Sequence, residues 1–493
     1  MIKVFGCAQV RSAQGGKMDL EKNRITDNVK TIHLIAACGT AMGALACILK
    51  DLGFTVTGSD QNVYPPMSTF LAHKGIVLGD GFEPAHLDYR PDLVVVGNTV
   101  SRNNPEVEHM LSLGLNYCSL PQALNRFLVG AGKSLLVTGT HGKTTTGSLL
   151  AWVLYSAGLD PSFMIGGILT NFDSNYRIGQ GKYVVIEGDE YDTAYFDKGP
   201  KFLHYSPAAA IMTSVEFDHA DIFRDLAHVK VTFQNFARGL DRESLLAAFD
   251  ADANVSSVLD SAVCRIQRYG EQAASDWQLT EIKIEPPVTR FTVTHQGKHF
   301  GCFQTRMPGR HNLLNAVAVI AAANHIGVAA DEIGRALESF EGIKRRQEVR
   351  GQVDGVTVMD DFAHHPTAVR ETIQAVKPFY PDGRLIAVFE PRTNSSMRAI
   401  FQDVYPTVFD AADLVCIREP SLLHKIPADE RFSASQLVAD ICKRGTNAHY
   451  FGDTEGIIEF VAGEADAGDV VLIMSNGGFG NIHERLLKTL SSH

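Results

Sequence analysis

The chain has 493 residues, 45% of them hydrophobic and 20% charged, an ordinary globular composition long enough for about three domains. A net charge of −11 argues against nucleic-acid binding as the main role, and no apolar run approaches the ~18 residues of a membrane span. The eight cysteines are scattered with no C-x-x-C pair, which argues against a zinc site or disulfide framework and fits a reducing cytoplasm.

Residues 1–30 lack the apolar core of a signal peptide, and the polar stretch from Arg11 to Lys30 reads as a loose extension. Residues 31–60 read as a βαβ unit: a strand at Ile32 to Ala36, a turn over Cys38 to Gly43, a helix from Ala44 to Asp51, and a strand from Phe54 to Thr57. The turn can hold a pyrophosphate and the acid at Asp60 a ribose, although Ala36 and Cys38 replace early glycines of the G-x-G-x-x-G pattern. A plain structural βα turn is the alternative. The apolar run Asp92 to Gly97 is a buried strand that delivers Asn98, Ser101, Arg102, Asn103 and Asn104 to its carboxyl end, where open α/β sheets bind ligands. An ordinary polar loop would look the same.

The strongest local signal is Leu135 to Val137 running into Thr138-Gly139-Thr140-His141-Gly142-Lys143-Thr144-Thr145 and then a helical run. Strand, glycine turn, Lys-Thr and helix make a phosphate-binding loop: backbone N–H groups converge on phosphate oxygens, the lysine reaches the outer phosphates and the Thr144 hydroxyl sits on Mg²⁺. The first glycine of the full G-x-x-x-x-G-K-[ST] form is replaced by Val137. Tyr183 to Ile186 is the next strand. It leads into Glu187-Gly188-Asp189-Glu190-Tyr191-Asp192, four carboxylates that repel one another unless a cation is present. A solvated acidic turn is the bland reading.

The strand Ala208 to Thr213 precedes Glu216-Phe217-Asp218-His219-Ala220-Asp221, where His219 is a ligand or a structural histidine. Val288 to Phe303 reads as a hairpin turning at Gln296-Gly297-Lys298. His311, Asn312 and Asn315 share the first turn of an alanine-rich helix, where amides can read a purine or simply cap. Lys344-Arg345-Arg346 is either a solvated run or a phosphate clamp. Beyond Gln347, strands at Leu385 to Phe389, Leu414 to Ile417 and Val470 to Met474 alternate with helical patterns. The polar strand ends are Met359 to Pro366, Glu390 to Ser395 and Ser475 to Gly480.

Taken in order, GTHGKTT, EGDEYD, EFDHAD, PGRHNLLN, KRR and DDFAHHP resemble the ATP-dependent Mur ligases of bacterial cell-wall synthesis, over roughly Thr31 to the C-terminus. IHLIAACGTAMGALA, TVTGSD and VVVGNTVSRNNPEVE are similar to the branch that binds UDP-N-acetylmuramate. CGTAMG, EGDEYDTAYFDKGPKF and SNGGFGNIHERLL resemble members that attach a recycled tripeptide, L-alanyl-γ-D-glutamyl-meso-diaminopimelate, more than those that attach free L-alanine. A P-loop switch with no bond-forming step is a rival from another class.

The resemblance implies an α/β protein of three domains. These are a Rossmann-like UDP-sugar domain over 31–131, a central P-loop ATPase domain over 132–346 and a Rossmann-like C-terminal domain over 347–493. ATP and Mg²⁺ are the implied cofactors, and UDP-N-acetylmuramate and the tripeptide the implied partners. ATP contacts would come from Gly139, Thr140, His141, Gly142, Lys143, Thr144, Thr145, His311, Asn312, Asn315, Arg346 and Asp361. The metal would sit on Thr144, Glu187 and His219, and catalysis would fall to Lys143, His219 and Arg346. UDP-sugar contacts would come from Gly39, Thr40, Met42, Ser59, Asp60, Asn98 and Arg102, and peptide contacts from His364, Arg392, Asn394 and Asn476. Phe233 stands where many members carry a carbamylated lysine, so Lys230 takes no such role.

Overall fold

The computed structural model describes residues 20–61, 63, 67–220 and 222–492; Asp221 and most of the N-terminal extension lie outside these. The first sheet is parallel and contains β1 (Thr31–Ile35), β2 (Thr55–Asp60), β3 (Val77–Asp80), β4 (Leu93–Val96) and β5 (Tyr117–Ser119). Its order is β3-β2-β1-β4-β5, so the direction of winding reverses between β1 and β4. All four residues of β4 are fully buried, as expected for a strand covered on both faces. The helix Thr40–Asp51 begins four residues before the expected start, because Gly39 takes up the extended backbone of the cap and Thr40 to Gly43 are already helical.

The expected loose extension is only partly so. Ile25 and Val29 pack on the core, the Asn23 amide reaches the Tyr117 carbonyl at 3.2 Å, and Asp92 accepts the backbone N–H groups of Lys30 and Thr31 at 2.9 Å. Polar composition hid two apolar anchors spaced along the segment.

The central sheet has ten strands. They are β6 (Lys133–Thr138), β7 (Ser162–Leu169), β8 (Ser174–Arg177), β9 (Tyr183–Gly188), then, after a separate hairpin of β10 (Asp192–Ala194) and β11 (Asp197–Pro200), β12 (Ala209–Met212), β13 (Leu245–Phe249), β14 (Arg265–Gly270), β15 (Trp277–Glu285), β16 (Val288–His295) and β17 (Lys298–Thr305). The order is β17-β16-β15-β14-β13-β12-β6-β9-β7-β8, antiparallel only at its two ends. β6 is therefore the switch point, and the loop after it opens where a ligand docks. The helices Lys143–Ser156 and Arg310–His325 pack together on this sheet; Ala316 to Ala323 are all buried, so the second helix is apolar nearly all round. The expected turn of the β16–β17 hairpin falls at Gln296 and Gly297, both with positive φ.

The third sheet is β18 (Glu348–Val353), β19 (Val356–Asp361), β20 (Leu385–Phe389), β21 (Leu414–Arg418), β22 (Asn447–Phe451) and β23 (Val470–Met474), ordered β18-β19-β23-β20-β21-β22. Only β18 runs antiparallel. Asp361, Ser475 and Glu390 thus stand side by side at the carboxyl edge. Phe233, in the helix Leu226–Gly239, is fully buried.

Candidate active site

The phosphate loop is shaped by two glycines with left-handed backbone, Gly139 at φ +130° and Gly142 at φ +80°. A Cβ on Gly139 would collide with the Thr213 hydroxyl and lie 2.8 Å from the Ser214 amide; one on Gly142 would sit 3.1 Å from Asn315 Oδ1. The loop therefore presses against the end of β12 on one side and the helix Arg310–His325 on the other. Thr140 N–H donates to the Ser214 carbonyl at 3.1 Å, and His141 N–H to the Ser214 hydroxyl at 2.9 Å. Gly142 caps the helix that starts at Lys143, which leaves the first-turn N–H groups of that helix free for an anion.

Lys143 Nζ donates to the Gly139 carbonyl at 2.6 Å and pairs with Glu190 Oε2 at 2.9 Å. Burial opposes the lysine's charge, but Glu190 and Asp189 overcome it and hold its pKa above the usual range. The acids after β9 do not simply repel. Asp189 pairs with Lys201 at 2.8 Å, Asp192 with Lys198 at 3.0 Å, and Glu190 with Lys143, so lysines relieve three of the four. Glu187 is the exception. It accepts the Gly166 N–H at 2.9 Å and lies beside Thr144, and burial followed by the Asp189 charge raises its pKa. A carboxylate that resists ionisation beside a hydroxyl on the phosphate loop fits a divalent cation. His219, at φ +53°, lies 3.7 Å from Glu190 Oε1 and packs tilted against Tyr191 at 5.0 Å between ring centroids.

On the far side, Asn312 donates to the Pro308 carbonyl at 2.7 Å and to Gln347 Oε1 at 3.1 Å, and Asn315 reaches Asn312 at 3.5 Å. Burial pushes the His311 ring down to about 4, so it is neutral at pH 7. Arg346 lies over the Phe362 ring at 4.7 Å, and the charges of Asp361 and Glu187 act on it. Asp361 is almost fully buried and accepts backbone N–H groups from Gln347 at 2.8 Å and Ala363 at 2.7 Å, so it braces the linker between the second and third sheets.

At the edge of the third sheet, buried Glu390 binds the Ser475 hydroxyl at 2.7 Å, pairs with Arg418 and lies 3.9 Å from Arg392. Arg345 donates to the carbonyls of Ser475 and Gly477, both at 2.7 Å. Asn476 Oδ1 is buried without a partner, whereas Asn394 Oδ1 accepts from Arg398 at 2.9 Å. His364 lies 3.9 Å from Asp218 of the central domain.

At the first sheet, Gly39, Thr40 and Met42 open the helix after β1, and Asn98 and Arg102 follow β4, so both groups flank the switch point. The Asp60 carboxylate accepts the Cys38 N–H at 2.8 Å, and the Ser59 hydroxyl is turned to buried Glu106, which His86 also binds at 2.6 Å. The β10–β11 hairpin joins the two centres. It starts beside the acids of β9, and its Tyr195 and Phe196 pack on the first domain, Phe196 at 4.9 Å from Tyr117.

Three family models cover most of the chain in sequence: "Mur ligase family, catalytic domain" over 31–130, "Mur ligase middle domain" over 137–323 and "Mur ligase, glutamate ligase domain" over 345–477. The chain belongs to the Mur ligase family. These are ATP-dependent enzymes that form amide bonds. Two relatives share the name UDP-N-acetylmuramate–L-alanyl-gamma-D-glutamyl-meso-2,6-diaminoheptandioate ligase. The Haemophilus influenzae protein is 39% identical over 94% of this chain and 99% of its own, and the Escherichia coli protein 40% over 93% and 98%. A murein peptide ligase crystal structure from Psychrobacter arcticus 273-4 is 36% identical over 94% of this chain and 99% of its own, with a TM-score of 0.69.

Several partnerships in this Mur ligase site have no signal in the sequence. Glu190 was one acid among four, and nothing local marks it as the partner of Lys143. Arg345 stands in the basic triplet, Glu390 opens a polar strand end and Arg418 follows the strand Leu414 to Ile417, but nothing in the sequence gives their partners. Among the described residues, no helix is long and apolar enough to cross a membrane.

Proposed function

We propose that this Mur ligase joins L-alanyl-γ-D-glutamyl-meso-diaminopimelate to UDP-N-acetylmuramate, in the cytoplasm, in the recycling of peptidoglycan. The near full-length identity of 39–40% to ligases named for that reaction carries the reading. The three ligand-binding sheet edges support it, one each for UDP-sugar, nucleotide and peptide. In the first step an oxygen of the lactyl carboxylate attacks the γ-phosphorus of ATP, the bond to the bridging oxygen breaks, and ADP leaves an acyl phosphate. The amine of the peptide's L-alanine then attacks the acyl carbon, loses a proton and expels phosphate.

Two anions meet in the first step, so screening and positioning dominate the barrier. Lys143 and Arg346 would bear on the transferred phosphoryl group, and the N–H groups of Gly142 to Thr145 would orient it. Thr144, Glu187 and His219 would hold Mg²⁺, which supplies further positive charge when bound. Asn312, Asn315 and neutral His311 line the adenine side. Gly39, Thr40, Met42, Asn98 and Arg102 would take the UDP-sugar, with Ser59 and Asp60 shaping that turn from behind. Arg392 and Asn476 would meet the peptide, Asn394 and Arg345 hold their loops, and His364, 3.9 Å from Asp218, would receive the amine's proton.

The test is phosphate release with ATP, Mg²⁺ and UDP-N-acetylmuramate, comparing the tripeptide with L-alanine. Turnover with the tripeptide and little with alanine is expected. Turnover with alanine alone would make this the alanine-adding member, and phosphate release without either amine would make it a nucleotide switch.

A further inference from the structure

Among the described residues one group of three side chains of ligand type brings its donor atoms within 4.8 Å of one another: His141, Glu216 and His365. The three come from separate places. His141 sits in the phosphate loop, Glu216 follows β12, and His365 caps the helix Pro366–Val376 of the C-terminal domain. His141 Nε2 lies 3.7 Å and His365 Nδ1 3.9 Å from the same oxygen, Glu216 Oε2. The two rings pack at 4.3 Å between centroids.

The surroundings resemble the support that metal-binding side chains have. Thr367 hydroxyl donates to Glu216 Oε2 at 2.7 Å and fixes the carboxylate. His365 Nε2 lies 3.3 Å from the Phe217 carbonyl, which assigns the proton to Nε2 and leaves the Nδ1 lone pair facing Glu216. That lone pair accepts only a long 3.3 Å bond from Thr367 N–H. His141 Nε2 is buried and makes no close hydrogen bond, with Glu216 Oε2 facing it at 3.7 Å. Ligand atoms about 2.0–2.1 Å from a tetrahedral ion stand about 3.3 Å apart, so the two gaps to Glu216 Oε2 need to close by about 0.5 Å and the histidine–histidine gap, within 4.8 Å, by at most about 1.5 Å.

Two imidazoles and one carboxylate suit borderline first-row ions; Mg²⁺ prefers oxygen alone. The scattered cysteines say nothing about such a donor set. The geometry points to a site for a transition-metal dication of the zinc class on His141, Glu216 and His365, separate from the Mg²⁺ residues Thr144, Glu187 and His219. Because two ligands come from the ATPase domain and one from the C-terminal domain, the ion is a clip between them. It holds the C-terminal domain against the phosphate loop and opposes the opening that nucleotide exchange needs.

The experiment is a Co²⁺ titration of the full chain in saturating Mg²⁺, followed by visible absorption, with Zn²⁺ as competitor. One equivalent of Co²⁺ with the absorption of a low-coordinate nitrogen–oxygen site is expected. His365→Gln and Glu216→Gln should each weaken it at least about tenfold, while Glu187→Gln leaves it unchanged. Two variants are used so that a folding defect in one, seen in its thermal melt, leaves the other to decide. Absence of Co²⁺ absorption, or absorption lost in Glu187→Gln and kept in His365→Gln and Glu216→Gln, overturns the proposal.

Discussion

At the scale of single residues, the pair of Lys143 and Glu190 governs the phosphate site. Glu190 is 2% exposed and Lys143 13%, and removing one partner of a buried pair costs about 3–5 kcal/mol. Lys143→Met is therefore expected to abolish phosphate release, to lower the melting temperature and to leave UDP-sugar binding largely intact. Lys143→Met with Glu190→Gln should recover much of the melting temperature and none of the turnover. Phosphate assays and thermal melts on both variants, with UDP-sugar titration of the first, check this. Gly139→Ala forces a side chain into φ +130° and against Thr213, a strain of about 1–3 kcal/mol or more, and ATP titration should show it as lost affinity. Lys143 and the two glycines could be read in the sequence because the phosphate loop is local: strand, turn and helix are contiguous. The partner acid could not, since it lies 47 positions away among three other carboxylates.

At the scale of elements, the helix Arg310–His325 carries a pH dependence. Its His311 ring has a pKa of about 4 in the folded chain because burial disfavours the charged form. The unfolded chain, with a histidine pKa of about 6.5, binds the proton more readily. Stability from this group is thus present above pH 6.5 and is lost as pH falls from there towards 4. The melting temperature should decline across that window, and His311→Gln should flatten the decline. Apolar composition located this alanine-rich helix and the parallel strands, since runs such as Leu93 to Val96 are buried on both faces. It missed the β10–β11 hairpin, whose strands have only three and four residues and no alternation to read. It also bounded the strand at Phe54 to Thr57, whereas β2 runs Thr55–Asp60, because a glycine inside a strand looks like a boundary.

At the scale of the whole molecule, the three sheets meet through side chains that no single domain explains. Arg345, in the linker, holds two carbonyls of the loop after β23 at 2.7 Å each. Both bonds come from Nη2, while Nε lies 3.4 Å from Asp360, and a single ammonium cannot span both sets of acceptors, so Arg345→Lys is expected to raise the KM for the peptide substrate several-fold while the KM for ATP changes little. Steady-state kinetics with each substrate varied in turn distinguishes the two. The C-terminal domain also reaches back across the phosphate site. Thr367 bonds Glu216, and the Ala220 N–H donates to the Ser395 hydroxyl at 3.3 Å. Motif order made the three domains legible. These contacts were not, because each joins residues more than a hundred positions apart that share no pattern.

The occupied state of Lys143 makes nucleotide arrival an exchange of partners. A phosphate that claims the ammonium strips buried Glu190 of its counter-charge, near a Glu187 that already resists ionisation. Electroneutrality then has to be restored from outside. Nucleotide is therefore expected to bind together with a divalent cation, which lowers the negative charge brought in, and free ATP to bind more weakly on electrostatic grounds before any chemistry begins.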